Sequence, residues 1–449
     1  MGILLGIVGI GLSLLCVFYA FGRLNMVSSI AGGDVDMSLD PAITETAYKV
    51  DLNEFFSKLD VYVSAIKTMN VKRLNSIVSD ELYHLTEVEI EGLARAGVRR
   101  DIEYTMTGYV DAPNIFQDGK SAWCGVTFPC KYTERFIDNV TNQVLYTKET
   151  DNAEIIMAIV RSDVRESDEE MACLGCGQRV VPEGGLLVCE YCQARHSFDS
   201  YGWSINTVTF VDYNFTGKEK KEYQAIMATI IGTVALPILG FASGAVSLFV
   251  PFFIIGYLFM FGFVTYYFGV KLPASIVSFR EMRQIDPLFS VVKFAARRAY
   301  LISLFFGAMN YNPNKIKQFI DPHIFTEIMQ NFNTSGNTVL TAQMIDSGVG
   351  QAIVKHAGKL YIPMSLNYRL IILDSNRIAH VVERKLNCQM CRDEAVKSGV
   401  KPIGEGMRCQ RCDKVVNLTA TGKCKYCGTE HDLAQFDWIF GRVDGSMIL

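Results

Sequence analysis

The cysteine pattern constrains this chain more than any other feature of its sequence. Thirteen cysteines occur, and ten of them lie in C-x-x-C pairs, namely 173/176, 189/192, 388/391, 409/412 and 424/427. The segments "CEYCQARHSFDSYGW", starting at Cys189, and "CKYCGTEHDLAQFDW", starting at Cys424, carry Cys, Tyr, Cys, His and Trp at the same offsets. A motif that one chain repeats at matching offsets predicts two equivalent modules.

Each module combines two C-x-x-C pairs separated by a segment typical of a short hairpin. The thiolates expected to converge are Cys173, Cys176, Cys189 and Cys192 in the first module, and Cys409, Cys412, Cys424 and Cys427 in the second. Four thiolates at this spacing are typical of a zinc ribbon. We therefore expect two structural Zn²⁺ sites, each closed by four sulfurs and lacking the open coordination position of a catalytic site. The alternative is a dithiol redox site, but two matched pairs of pairs favour metal binding.

Other residues near the modules leave alternatives open. Cys388 and Cys391 have no counterpart in the first half and are possible additional ligands. Three alternatives are open: the pair replaces 409/412 at the second site, it binds a further metal together with a partner protein, or its thiols stay free. His196 and His431 follow the last cysteines. With four sulfurs already present, we interpret these histidines as structural, donating to a ligand sulfur or a carbonyl.

Two uncharged apolar segments, residues 1–21 and 225–270, indicate a membrane protein. A spanning helix needs about 20 apolar residues, so we expect an anchor at 1–22 and a helical hairpin at 224–270, three spans in total. The first segment lacks the basic start of a cleaved signal peptide. Basic residues flank the spans on one side, which predicts a multi-pass cell-membrane protein with both large polar segments in the cytoplasm.

The two polar segments have the same order of predicted elements. Each begins with an amphipathic helix, continues through a second short helix into strand-like alternation, and then reaches a cysteine module. This order predicts an α+β domain at 40–170 with a zinc ribbon at 171–215, and a second α+β domain at 285–387 with a ribbon at 388–445.

The stretches "VKRLNSIVSDELYHL" and "IKQFIDPHIFTEIM" resemble a domain family named after the membrane-tether subunit 44 of the mitochondrial inner-membrane translocase. The resemblance implies a nuclear transport factor 2-like cone, with helices packed on a curved antiparallel sheet. The expected fold class is thus a membrane α+β protein with two cone-like domains, two four-cysteine zinc ribbons and three transmembrane helices. The family's eukaryotic member tethers a chaperone to an import channel, whereas the spans and ribbons make bacterial membrane proteins with this domain the closer comparison.

Sequence motifs favour a binding role over catalysis. The chain has no G-x-S-x-G, P-loop or H-E-x-x-H motif. The net charge of −4 and the acidic run at 165–170 argue against nucleic acid as a partner. We expect a non-enzymatic membrane scaffold that docks a cytoplasmic protein or a membrane surface, with a homo-oligomer left open. The alternatives are an enzyme or small-molecule-binding protein with a pocket in one cone-like domain, and a channel formed by the spans.

Overall fold

The computed structural model of the protein describes only part of the chain. The described residues are 44–45, 52–74, 77–108, 115–118, 121–161, 173, 178–183, 186–193, 195–196, 203–212, 281–287, 289, 291–309, 312–331, 337–349, 353–396, 407–409, 411–412, 415–416, 422–424 and 427–444. They belong to one compact unit, Met37–Tyr213 with Glu281–Leu449. A second unit, Met1–Asp36 with Asn214–Arg280, lies outside the described residues.

The first half of this unit, residues 52–212, packs two helices on an antiparallel sheet. The helices are α1 (Leu52–Lys67) and α2 (Asp80–Arg95), with a 3-10 turn at Val71–Leu74. The strands are β2 (Val98–Met106), β3 (Ile115–Asp118), β4 (Ser121–Asp138), β5 (Val144–Arg161) and β9 (Ser204–Asp212), and a short β1 (Thr44–Glu45) pairs with β3. Between β5 and β9 the chain forms a small separate sheet of β6 (Val180–Glu183), β7 (Leu186–Cys189) and β8 (Arg195–His196).

The second half, residues 291–444, has the same order of elements. Its helices are α3 (Val291–Met309) and α4 (Pro322–Asn331), with a 3-10 turn at Pro313–Phe319. Its strands are β10 (Thr338–Val349), β11 (Val354–His356), β12 (Lys359–Leu373), β13 (Ala379–Asp393) and β16 (Ile439–Asp444). Two short strands, β14 (Met407–Arg408) and β15 (Val415–Val416), and a 3-10 turn at Leu433–Gln435 lie between β13 and β16.

Each cysteine module is therefore an insertion between two paired strands of its sheet. β5 pairs with β9 across the first module, and β13 pairs with β16 across the second. The strand that follows each module also bonds to the start of the second helix, where Ser79 N–H donates to Ile205 O at 2.8 Å and Asp321 N–H donates to Phe440 O at 2.8 Å. The predicted ribbon at 171–215 thus includes β9, a strand of the main sheet, and the predicted ribbon start at 388 falls inside β13.

The two halves share a hydrophobic core. Its buried members come from both halves and are Leu93, Val98, Phe136, Leu340, Ile371 and Leu373. The helices α2 and α3 also pack together, and a Cβ added at Gly307 of α3 would lie 3.1 Å from Val88 Cγ1 of α2. Burial of apolar side chains from both halves in one cluster gives them a common source of stability.

The structure corrects the prediction of a three-span membrane protein. Within the residues it describes, no helix has the length and apolar character needed to cross a membrane. The helix α3 has 19 residues, but Lys293, Arg297 and Arg298 interrupt its apolar run, and its large apolar side chains from Tyr300 to Phe306 are buried in the protein. We therefore do not retain the membrane α+β fold class with three transmembrane helices, the integral membrane partner or the multi-pass localisation. The anchor at 1–22 and the hairpin at 224–270 lie outside the described residues, and what the structure shows is an α+β fold.

Candidate metal centre

The second cysteine module brings four sulfurs together. The sulfurs of Cys409, Cys412, Cys424 and Cys427 all lie within 4.8 Å of one another. The Sγ–Sγ distances are 3.6 Å for Cys409 to Cys427 and 3.6 Å for Cys412 to Cys424. A tetrahedral ion with sulfur ligands at about 2.3 Å holds neighbouring sulfurs roughly 3.8 Å apart. The cluster therefore has the size that a tetrahedral metal ion requires.

The first module brings together the sulfurs of Cys173, Cys189 and Cys192, again within 4.8 Å of one another. Cys173 Sγ lies 3.5 Å from Cys192 Sγ. The fourth predicted ligand, Cys176, lies outside the described residues. No disulfide bond joins the described cysteines, so the thiols of both groups are in a position to hold a metal ion.

A matching hydrogen-bonded turn follows the second C-x-x-C pair of each module. Gly428 N–H donates to Cys424 O at 2.8 Å, and at the matching place in the first module Gln193 N–H donates to Cys189 O at 2.9 Å. Both residues have positive φ, 70° for Gly428 and 56° for Gln193. The repeated turn reverses the chain after two cysteines, and only glycine adopts this conformation without strain.

Polar groups contact two sulfurs of the second cluster, and at Cys427 they favour the thiolate. The Thr429 hydroxyl lies 3.2 Å from Cys427 Sγ, and hydrogen bonds from the Thr429 hydroxyl and backbone lower the pKa of the Cys427 thiol to about 6. His431 is buried, and its Nε2 lies 3.4 Å from Cys409 Sγ. This places His431 where the sequence predicts a partner for a ligand sulfur, whereas the side chain of His196 lies outside the described residues.

Thr429 is a contributor that the sequence analysis missed. It stands two residues after the last cysteine of the second module, where the first module has Ala194, so the repeat gave no reason to select it. The only available signal was a hydroxyl side chain close to a cysteine, which is too common to identify a site.

Cys388 and Cys391 do not join a sulfur cluster of the described residues. Both lie on β13, where they pair with Met364 and Tyr361 of β12. Three residues of extended strand span about 10 Å, so this C-x-x-C pair does not form the tight turn of a metal knuckle. Cys391 is fully buried, and burial raises the pKa of its thiol to about 12, which makes it an inert core residue.

A cation from the first helix of each half anchors the chain where the cysteine module ends. Lys58 Nζ of α1 donates to Trp203 O at 2.7 Å, and Arg297 Nε of α3 donates to Trp438 O at 3.2 Å. In the second half, Arg297 Nε also lies 3.1 Å from Asp437 Oδ2, and Phe294 packs against the Trp438 ring with centroids 5.2 Å apart. The module is thereby tied to the helix layer as well as to the sheet.

Contacts with the 3-10 turn Pro313–Phe319 hold the second module against its half. Gln318 Nε2 donates to Glu430 Oε1 at 3.2 Å, and Lys423 Nζ lies 3.0 Å from the same carboxylate oxygen. Leu433 is completely buried. The arrangement can hold a metal ion between two turns and use it to fix the position of the strand that follows.

No protein-family model matches the chain, and no curated protein sequence matches it. The resemblance to the translocase subunit 44-like family stays a prediction.

Proposed function

We propose that the protein is a non-enzymatic docking protein built on two structural zinc ribbons. The observation that carries the proposal is the C-terminal set of four sulfurs, spaced for one tetrahedral ion, together with three sulfurs at the matching place in the first half. We infer zinc as the metal because a tetrahedral set of thiolates suits Zn²⁺, and we assign Cys176 as the fourth ligand of the first site.

A structural role for the metal follows from the ligand set. Four sulfurs fill the coordination shell, so no position remains for a substrate or an activated water. A short insertion buries too little apolar surface to fold alone, and a bound metal supplies the missing free energy. The metal would then hold β9 and β16 in register at the ends of their insertions.

A docking role follows from the way the two halves are joined. They share one hydrophobic core, so their surfaces are held in a constant relative position. A rigid body with two stabilised insertions is suited to presenting binding surfaces to another protein, because little conformational entropy is lost on association.

The metal assignment is tested by zinc content and by X-ray absorption of the purified full chain. We expect two zinc ions per chain, each with four sulfur neighbours at about 2.3 Å. Cys189→Ser and Cys424→Ser should each lose one ion, while the control Cys124→Ser, which changes a buried cysteine of β4, should keep both.

The docking role is tested by purification at native abundance. A protein that co-elutes in fixed proportion with the wild-type chain, and is lost with Cys189→Ser or Cys424→Ser, supports it. A zinc site with an oxygen neighbour that exchanges with solvent would instead indicate a catalytic metal and overturn the proposal.

A further inference from the structure

We propose that the open edge of β13, residues 379–386, docks an extended acidic segment of a partner protein as an added strand. We call this segment the β13 edge. The inference rests on the proposed docking function and identifies a site and a partner class for it.

Within the part of the chain that the structure describes, the β13 edge has a neighbouring strand on one side only. β12 pairs with β13 along its whole length, but β16 pairs only with Asn387–Cys391. Among the strands that the structure describes, none pairs with residues 379–386 on the side away from β12. An unpaired edge presents backbone N–H and C=O groups that can bond to an incoming strand.

The matching segment of the first half is engaged in a protein contact. β5 pairs with β9 from Ala153 to Val160. Just as residues 379–386 lie beyond the β16 pairing, the residues of β5 before Ala153 therefore lie beyond the β9 pairing. There, however, Leu145 and Tyr146 pack against the shared core, and Lys148 Nζ lies 3.5 Å from Gln343 Oε1 of the second half. The β13 edge begins at Ala379, which also packs against the shared core, and therefore continues an existing interface.

Apolar side chains are exposed next to the β13 edge. Four of the six large apolar side chains that are exposed among the described residues lie in the β4–β5 and β12–β13 hairpins. They are Val140, Val144, Ile378 and Val381, with exposed fractions of 87%, 47%, 55% and 47%. An ion pair between Arg377 and Asp138, 2.6 Å apart, joins the two hairpins. Exposed apolar groups beside an open strand edge are typical of a binding surface.

The charges of the β13 edge identify the partner's chemistry. Arg384 and Lys385 are exposed, Glu383 faces Arg369 of β12 at 3.6 Å, and His380 Nε2 lies 3.0 Å from Asp374 Oδ2. The edge is therefore basic as well as apolar, which complements a strand that alternates acidic and apolar residues. Edge cations also protect a sheet from self-association, and the experiment separates that role from binding.

The test uses the full chain and a short fluorescein-labelled peptide that alternates glutamate and valine. We expect saturable binding by fluorescence anisotropy, weakened by salt, and reduced about tenfold or more in a variant carrying Arg384→Glu and Lys385→Glu. The matched control, Lys72→Glu with Arg73→Glu, makes the same charge change at exposed residues of the first half and should bind as the wild type does.

A second peptide, N-methylated at every residue, tests strand addition, because it keeps the charges but has no internal backbone donor on either of its edges. We expect it not to bind. Equal binding of the methylated peptide, or equal displacement by single-stranded oligodeoxythymidylate, would show general attraction of polyanions and overturn the inference. Absence of binding to wild-type protein that holds both zinc ions would overturn it too, while leaving the proposed docking function standing.

Discussion

Arg377 of the second half forms an ion pair with Asp138 of the first half, with Nη2 2.6 Å from Oδ2. The same guanidinium donates to the carbonyl oxygens of Ala96 and Gly97, at 3.0 and 3.2 Å. One side chain therefore links a hairpin of the second half to the end of α2 and to a hairpin of the first half. Asp138 is buried whereas Arg377 is exposed, so solvent reaches the ion pair from the side of the guanidinium.

We expect the contribution of Asp138 to depend on pH. Hydrogen bonds from the Thr141 and Val140 amides, and the nearby Arg377 guanidinium, lower the pKa of Asp138 to about 2. An unfolded aspartate has a pKa of about 3.9, so the ionised carboxylate stabilises the folded state fully above about pH 4 and loses this effect as the pH falls towards 2.

The variant Asp138→Asn keeps an acceptor for both amides and removes the charge. Its free energy of unfolding in urea should be lower than the wild type's at pH 7, and the difference should shrink below pH 4. A difference that is constant from pH 7 to pH 3 would contradict the expected protonation.

The two helix cations should differ in their effect on stability. Arg297 is buried and bonds to both Trp438 O and Asp437, so Arg297→Met should destabilise the protein by about 3 kcal/mol. Lys58 is only partly buried, and Lys58→Met should remove about 1 kcal/mol. Urea unfolding measures both, with exposed Lys72→Met as the control. Equal losses at the two positions would show that the burial of Arg297 has no energetic consequence.

Zinc affinity should depend on whether glycine occupies the position directly after the last cysteine of each module. A Cβ at Gly428 would meet no atom within 4 Å, so Gly428→Ala adds only backbone strain, about 1 kcal/mol. That strain should weaken zinc binding about fivefold in competition with a chromophoric chelator. Gln193→Gly should strengthen binding at the first site by a similar factor, because it removes strain at φ 56°.

Gly422→Ala is the contrasting case, since its Cβ would overlap the Gln318 side chain in addition to the strain at φ 68°. We expect a larger loss of affinity than for Gly428→Ala. Unchanged affinity in both alanine variants would argue that these turns do not adopt the left-handed conformation.

His431 should tune the second zinc site without ligating the metal. The variant His431→Ala should keep four sulfur neighbours in X-ray absorption and bind zinc about tenfold more weakly, because a hydrogen bond to a ligand sulfur is lost. His356→Ala, at an exposed position on β11, is the control. A nitrogen neighbour in the wild-type spectrum that disappears in His431→Ala would identify His431 as a ligand.

The local features of this protein follow from the sequence alone. The spacing of apolar residues predicts the helices now seen at Leu52–Lys67 and Val291–Met309, because an amphipathic helix needs only neighbouring residues to define its buried face. The C-x-x-C spacing likewise predicts the cluster of Cys409, Cys412, Cys424 and Cys427, since a tight turn brings each pair together wherever the module lies. The membrane fold class is predicted from the apolar segments 1–21 and 225–270, which lie outside the described residues, and none of the described helices could span a membrane.

Only the tertiary structure decided the features that depend on distant residues. The pairing of β5 with β9 and of β13 with β16 makes each cysteine module an insertion in a sheet, and long-range strand pairing leaves no mark on local periodicity. The C-x-x-C segment at Cys424 forms a tight turn, whereas the one at Cys388 is extended. The reason is that residues 388–391 belong to β13, which pairs with β12 over its whole length. The shared core, which includes Val98 of the first half and Leu340 of the second, arises from apolar burial between segments that are far apart in the sequence.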